Sequence, residues 1–203
     1  LKQSRVLVVG VGGVGSHVAH MLARSGIGYI SFVDFDQVSV SSLNRHACAT
    51  LDDVGRSKVQ VLYDYLTRIC PDPRFLQLEP VVAMYSRETA PEIMKDGNFD
   101  IVVDCIDDVP TKADLIEYCV KHCIPIVSCM GAGGKSDPTR LHLTDLKSAA
   151  KDPLATKLRQ ELLKRSDNLD FLQDTKQLCI LYSSEKTIVR LADFTEEQTD
   201  QGI

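Results

Sequence analysis

Apolar runs alternate with stretches of helical period along this chain. Arg5–Val9 runs into a glycine-rich turn, a helical pattern continues to about Arg24, and a second run, Tyr29–Val33, ends in Asp34. Short continuous apolar runs are strands buried on both faces by crossover helices, so this opening predicts a βαβ unit. The same alternation predicts a helix near Asp53–Ile69, a strand near Phe75–Val81 and a short helix near Arg87–Met94. A strand over Phe99–Val103, a helix over Pro110–His122 and a strand over Ile124–Ser128 follow. The first, second, fourth and fifth strands are expected to be parallel, because crossover helices cover them.

After Met130 the pattern changes. Gly131–Gly134 forms a second glycine-rich turn, Arg140–Thr144 is expected as a strand, and Asp152–Arg165 as a charged helix with Pro153 in its first turn. Ser166–Thr175 is expected as a loop, Leu178–Tyr182 and Thr187–Val189 as short strands, and Glu196–Ile203 as a polar terminus. There is no internal repeat. The fold class expected is α/β: a Rossmann-like, doubly wound, mostly parallel sheet with helices on both faces and a smaller C-terminal strand and helix extension. Residues 1–135 would form the main unit, and residues 136–203 an extension continuous with it.

Composition narrows the class. With 44% hydrophobic residues in 203 and a net charge of −5, the chain can build a core and is not disordered. No apolar run approaches the roughly 18 to 20 residues of a membrane helix. No leader of the secretory type is visible, and the opening Leu1 leaves room for upstream residues, a targeting segment among them. Seven cysteines (Cys48, Cys70, Cys105, Cys119, Cys123, Cys129 and Cys179) lie partly within apolar runs, as expected of thiols in a reducing, intracellular setting. No CxxC pair occurs, so no zinc site is expected. Charge is uneven: residues 1–134 carry −4, residues 135–165 carry +4 and residues 166–203 carry −5. The basic stretch offers Lys147, Lys151, Lys157, Arg159, Lys164 and Arg165 either to phosphates or simply to water.

The first chemical signal is Gly10-Val-Gly12-Gly13-Val-Gly15-Ser16 between a strand and a helix. Glycines there bring backbone amides against phosphate at a helix N-terminus, and Asp34 stands at the distance expected of a carboxylate that binds ribose hydroxyls. A nicotinamide dehydrogenase shares these features. Asp36, Asn44-Arg45-His46, Lys58 and Asp104-Cys-Ile-Asp107-Asp108 separate the two cases. Two cations and a further carboxylate suit a triphosphate and its Mg2+, whereas hydride transfer does not need them.

With GVGGVGS, VDFD, NRH, GRSK and DCIDD in this order, the chain resembles the ubiquitin-activating-enzyme-like (E1-like, ThiF/MoeB) adenylation superfamily. The resemblance implies an ATP-binding adenylation domain, with Gly10, Gly12, Gly13, Gly15, Ser16 and Asn44 at the nucleotide. It further implies Asp34 and Asp36 on the ribose, Arg45 and Lys58 on the phosphates, and Asp107 on Mg2+. Within that superfamily GAGGKSDPT, LTDL, DPLATKLR and CILYSSE look most like the tRNA threonylcarbamoyladenosine dehydratases, and VDFDQVSVSSLNRH looks closer to fungal-type members. Superfamily members often carry Asn where Ser42 stands and Gln where His46 stands.

This resemblance implies adenylation of the threonyl carboxylate of N6-threonylcarbamoyladenosine beside the tRNA anticodon, followed by ring closure with net loss of water. Gly131–Gly134 would line the pocket where the carboxylate arrives. Lys151, Lys157, Arg159, Lys164 and Arg165 would meet the tRNA. The resemblance also implies a homodimer, a monovalent cation, a sulfur-relay protein partner and association with the mitochondrial outer membrane. Cys179 is either a thiol that receives an acyl group, as in ubiquitin-type relatives, or a buried strand cysteine. Two other readings stay open: activation of a ubiquitin-like or sulfur-carrier protein, and a non-catalytic nucleotide-binding half of an activating heterodimer.

Overall fold

A computed structural model describes residues 1–95, 98–149, 152–165 and 174–186. Seven strands form one sheet: β1 Arg5–Val9, β2 Tyr29–Asp34, β3 Gln77–Val82, β4 Ile101–Asp104, β5 Ile126–Cys129, β6 Leu141–Thr144 and β7 Leu178–Ser183. Their order is β3-β2-β1-β4-β5-β7-β6. All neighbours are parallel except the β6–β7 pair, so the third strand, whose direction sequence had left open, runs with the others.

Five helices cover the sheet: α1 Gly15–Arg24, α2 Lys58–Ile69, α3 Ala90–Met94, α4 Val109–Lys121 and α5 Pro153–Arg165. Strand side chains alternate between the two faces. Val6 and Val8 of β1 join Ile30, Phe32, Val59, Leu62 and Leu66 in one core. Leu7 and Val9 join Val102, Leu115, Ile116, Leu158, Leu162 and Ile180 in the other. Burial on both faces is why these strands read as unbroken apolar runs.

Several boundaries differ from the expectation for physical reasons. The second helix begins at Lys58, not near Asp53, because Leu51–Asp53 is a separate 3-10 turn in which Asp53 accepts hydrogen bonds from the amide and hydroxyl of Thr50. Gly55, with φ of +88°, then turns the chain before α2. Asp152 stands just outside α5 as its cap, accepting from the amides of Leu154 and Ala155. The strand candidate Thr187–Val189, the terminus Glu196–Ile203 and Lys151 lie outside the described residues. Among the described residues, no helix is long and apolar enough to cross a membrane.

Candidate functional site

The C-terminal ends of β1, β2 and β4 meet at the glycine turn, where open parallel sheets place their ligands. Gly10 has φ of +86°. A Cβ on Gly15 would lie 1.8 Å from the carbonyl oxygen of Gly10, so only glycine lets α1 start this close to β1. Asp34 holds the turn from β2: one carboxylate oxygen accepts from the Val11 amide at 2.7 Å and the other from the Asp36 amide at 2.8 Å. Ser16 lies in the first turn of α1. Its side chain is fully buried, and its hydroxyl donates to the Gly12 carbonyl and accepts from the Ala47 amide. The two bonds brace the loop.

Two cations border the turn. Arg45 is exposed and lays its aliphatic stem against Gly13, where an added Cβ would come within 3.1 Å of it. Its guanidinium donates only to neutral acceptors, the Ser41 carbonyl at 2.6 Å and Asn44 Oδ1 at 3.2 Å, so its charge is left for a ligand. Lys58, largely buried, pairs with Asp36 at 2.6 Å. This pair joins a ribose candidate to a phosphate candidate.

Three aspartates at the end of β4 divide their work. Asp104 is fully buried, and Asp108 caps α4 by accepting from the amide and hydroxyl of Thr111. Asp107 is exposed, with no hydrogen bond or ion pair among the described residues. Its carboxylate oxygens suit a hard cation such as Mg2+, which commonly uses one or two carboxylates plus phosphates and water. Among the described residues no group of three or more His, Cys, Asp or Glu side chains is arranged around one point.

Beneath this rim lies a network that the sequence reading missed. Lys112 is fully buried and commits all three ammonium donors: to Asp104 at 2.7 Å, Ser128 Oγ at 3.3 Å and the Cys129 carbonyl at 3.0 Å. Ser128 also donates to Asp104 at 2.6 Å. The available signal was a lysine one turn from the apolar Leu115 and Ile116 on the inward face of α4.

His46 is buried. Its Nδ1 accepts from the amides of Ala49 (3.2 Å) and Cys48 (3.4 Å), leaving the ring proton on Nε2, which has no partner among the described residues. Ser42 is buried and bonds the Ser39 amide and hydroxyl. Burial first, then the charges of Lys58 and His17, hold the His46 pKa below the ordinary 6.5. The unfolded chain therefore takes up a proton where the folded chain resists it. The associated stability is present above about pH 6.5 and is lost as pH falls through the depressed folded value. A His46→Gln variant keeps an acceptor for the Ala49 amide and should show a shallower fall of melting temperature between about pH 7 and pH 5 than the unsubstituted chain. Equal slopes in thermal melts would refute this assignment.

Beside the glycine turn opens a pocket of about 290 Å3. Val14, Met130, Leu141 and Leu181 supply apolar walls, and Lys135 and Tyr182 polar ones. Val14 also precedes the first residue of α1, so the pocket and the glycine turn share a wall. Of the expected Gly131–Gly134 stretch, Gly131 and Ala132 line it and Gly133 and Gly134 are not in its lining. Nor is Cys179. It lies within β7, opposite Val127 of β5, and burial raises its thiol pKa above the ordinary 9.0, the opposite of an activated nucleophile.

The basic helix is also partly committed. Arg165 bonds Asp114 at 2.6 Å and Glu161 at 2.9 Å, tying α5 to α4. Lys164 lies 3.5 Å from Glu161 and is largely exposed, and Lys157 is exposed without an acidic partner among the described residues. Arg159 is half-buried.

Comparison with known proteins adds to this geometry. The ThiF family model matches residues 1–188. The chain is 45% identical over 166 residues to tRNA threonylcarbamoyladenosine dehydratase 2 of Saccharomyces cerevisiae, a match covering 81% of this chain and 36% of that protein. It is 37% identical over 201 residues to the tRNA threonylcarbamoyladenosine dehydratase of Bacillus subtilis, covering 97% of this chain and 73% of that one. The chain thus spans little more than a third of the yeast relative's length. The crystal structure of the E. coli tRNA N6-threonylcarbamoyladenosine dehydratase TcdA in complex with ATP superposes with a TM-score of 0.82 at 36% identity, over 92% of this chain and 75% of that one.

Proposed function

The chain belongs to the ThiF family, and from that premise we propose that it carries the ATP-dependent dehydration of N6-threonylcarbamoyladenosine in tRNA. One observation carries the reading furthest: a pocket sized for a small acyl group shares Val14 with the glycine turn, so an acyl group there lies beside a nucleotide bound at the turn. The ATP complex of the E. coli relative and the names of the yeast and B. subtilis relatives support the same choice.

A carboxylate resists attack, and hydroxide leaves poorly. Adenylation removes both obstacles. The threonyl carboxylate attacks the α-phosphorus of ATP and pyrophosphate leaves. The ureido group of the same side chain then closes on the acyl carbon and AMP leaves, so one water is lost overall. Because nucleophile and electrophile belong to one side chain, no protein nucleophile is required, in keeping with the setting of Cys179. Catalysis is then positioning and charge stabilisation. Arg45 faces the phosphates with an uncompensated charge, Lys58 is steered by Asp36, and Asp34 shapes the turn while standing at the ribose. Mg2+ held by Asp107 would supply neutralisation of phosphate charge.

The finer parts of the reading rest on the family resemblance: a monovalent cation, a homodimer, a sulfur-relay protein partner and attachment to the mitochondrial outer membrane. The tRNA face is assigned to α5 through Lys157, Arg159 and Lys164, supported by the exposure of Lys157 and Lys164. Reversing these three charges is expected to weaken tRNA binding by about tenfold or more and to flatten its salt dependence, with ATP affinity unchanged. Equal affinity and slope in filter-binding titrations would remove α5 from the interface.

The function itself is tested by mass spectrometry of nucleosides from tRNA carrying N6-threonylcarbamoyladenosine after incubation with the protein and Mg-ATP, under mild conditions that spare a labile ring. Loss of one water that depends on ATP is the expected result. An unchanged nucleoside, with pyrophosphate exchange that depends instead on a small carrier protein, would replace this reading by carrier activation.

A further inference from the structure

We propose that Lys135 contacts the substrate, its third ammonium N–H donating to an oxygen of the acyl group that is activated. This rests on the function proposed above and adds a recognition element that neither the family resemblance nor the relatives' names assign.

Among the described residues, Lys135 is the one cationic side chain lining the 290 Å3 pocket. An ammonium carries three donors. Two are engaged: one with Asp152 Oδ2 at 3.0 Å, the other with the Ser183 carbonyl at 3.2 Å. Its side chain is 11% exposed and that of Asp152 is 1% exposed, so the pair is held in a fixed geometry. Lys112 offers the contrast, since its three donors all meet protein atoms.

The acids around the pocket are already committed. The second oxygen of Asp152 caps α5, Asp137 accepts from Thr139 and Arg140, and Glu185 accepts from the amides of Ser136 and Asp137. What remains is one strong donor among apolar walls, its charge balanced by Asp152. A donor so placed distinguishes a ligand that offers an oxygen from one that does not, because the mismatched ligand leaves it unpaired. Charge balance also suits it to an acyl group that begins as a carboxylate and becomes a neutral carbonyl on adenylation. Bound there, that oxygen lies in a pocket walled by Val14, beside the glycine turn.

The test titrates N6-threonylcarbamoyladenosine nucleoside, adenosine and ATP into the full chain and into a Lys135→Met/Asp152→Asn variant. The paired change removes cation and counter-charge together, and Asn retains the helix cap. The variant is expected to bind the modified nucleoside at least about tenfold more weakly, with adenosine and ATP affinities within about twofold of the original. Affinity for the modified nucleoside within about twofold would overturn the proposal. A second measurement needs no substitution: the nucleoside should move the amide resonances of Gly131–Ser136, and a saturating titration that leaves them in place also overturns it. If the unsubstituted protein dehydrates modified tRNA and the variant does so with unchanged KM, the role of Lys135 falls alone. If the unsubstituted protein neither dehydrates the tRNA nor prefers the modified nucleoside to adenosine, the function falls and takes that role with it.

Discussion

A Lys112→Met variant is expected to lose about 3–5 kcal/mol of stability, the usual cost of leaving one member of a buried ion pair without its partner. Asp104 would remain fully buried with Ser128 as its only remaining side-chain donor. Such a loss is a large part of the roughly 5–15 kcal/mol that holds a domain folded. Replacing both charges, as Lys112→Met/Asp104→Leu, should recover most of it, since apolar residues of similar volume often substitute for a buried pair with little loss. Urea denaturation of the two variants separates the cases. If the single variant is as stable as the original, the network is not a charged pair of the kind described.

Arg45→Ala is expected to slow adenylation by about 10²–10³, or about 2.7–4 kcal/mol of transition-state stabilisation, the scale for removing one preorganised donor from developing charge. The reason is local: its guanidinium bonds only the Ser41 carbonyl and Asn44, so its charge is available to phosphate. Arg45→Lys should recover only part of the rate, because a point charge lacks the forked geometry of guanidinium. Single-turnover measurement of water loss from modified tRNA reads this directly, with ATP affinity measured in parallel. A rate within about threefold of the original would move Arg45 out of the catalytic set.

The strands of the nucleotide half were legible because burial on both faces leaves continuous apolar runs, and because the glycine turn and Asp34 are linked by local spacing. The placement of β7 between β5 and β6 was not legible. Two short apolar runs carry no sign of which lies inside the other. Side-chain partners were not legible where they lie far away in sequence. The Ser16 hydroxyl accepts from the amide of Ala47, 31 positions away. The Arg165 guanidinium donates to Asp114, 51 positions away. Lys135 and Asp152 stood only 17 apart, yet nothing in their spacing marks a shared pocket wall.

The inserted position of β7 sets an order on assembly as the chain leaves the ribosome. The parallel strands that shape the glycine turn are complete once β5 ends at Cys129, whereas Leu181, Tyr182 and Ser183, which close the pocket, arrive with β7 at Leu178–Ser183. Until that strand slots against β5, Lys135 lacks the Ser183 carbonyl and β6 lacks its one sheet neighbour among the described residues. An interruption of synthesis between β6 and β7 therefore leaves a chain that contains the glycine turn but lacks the part of the pocket wall supplied by Leu181, Tyr182 and Ser183.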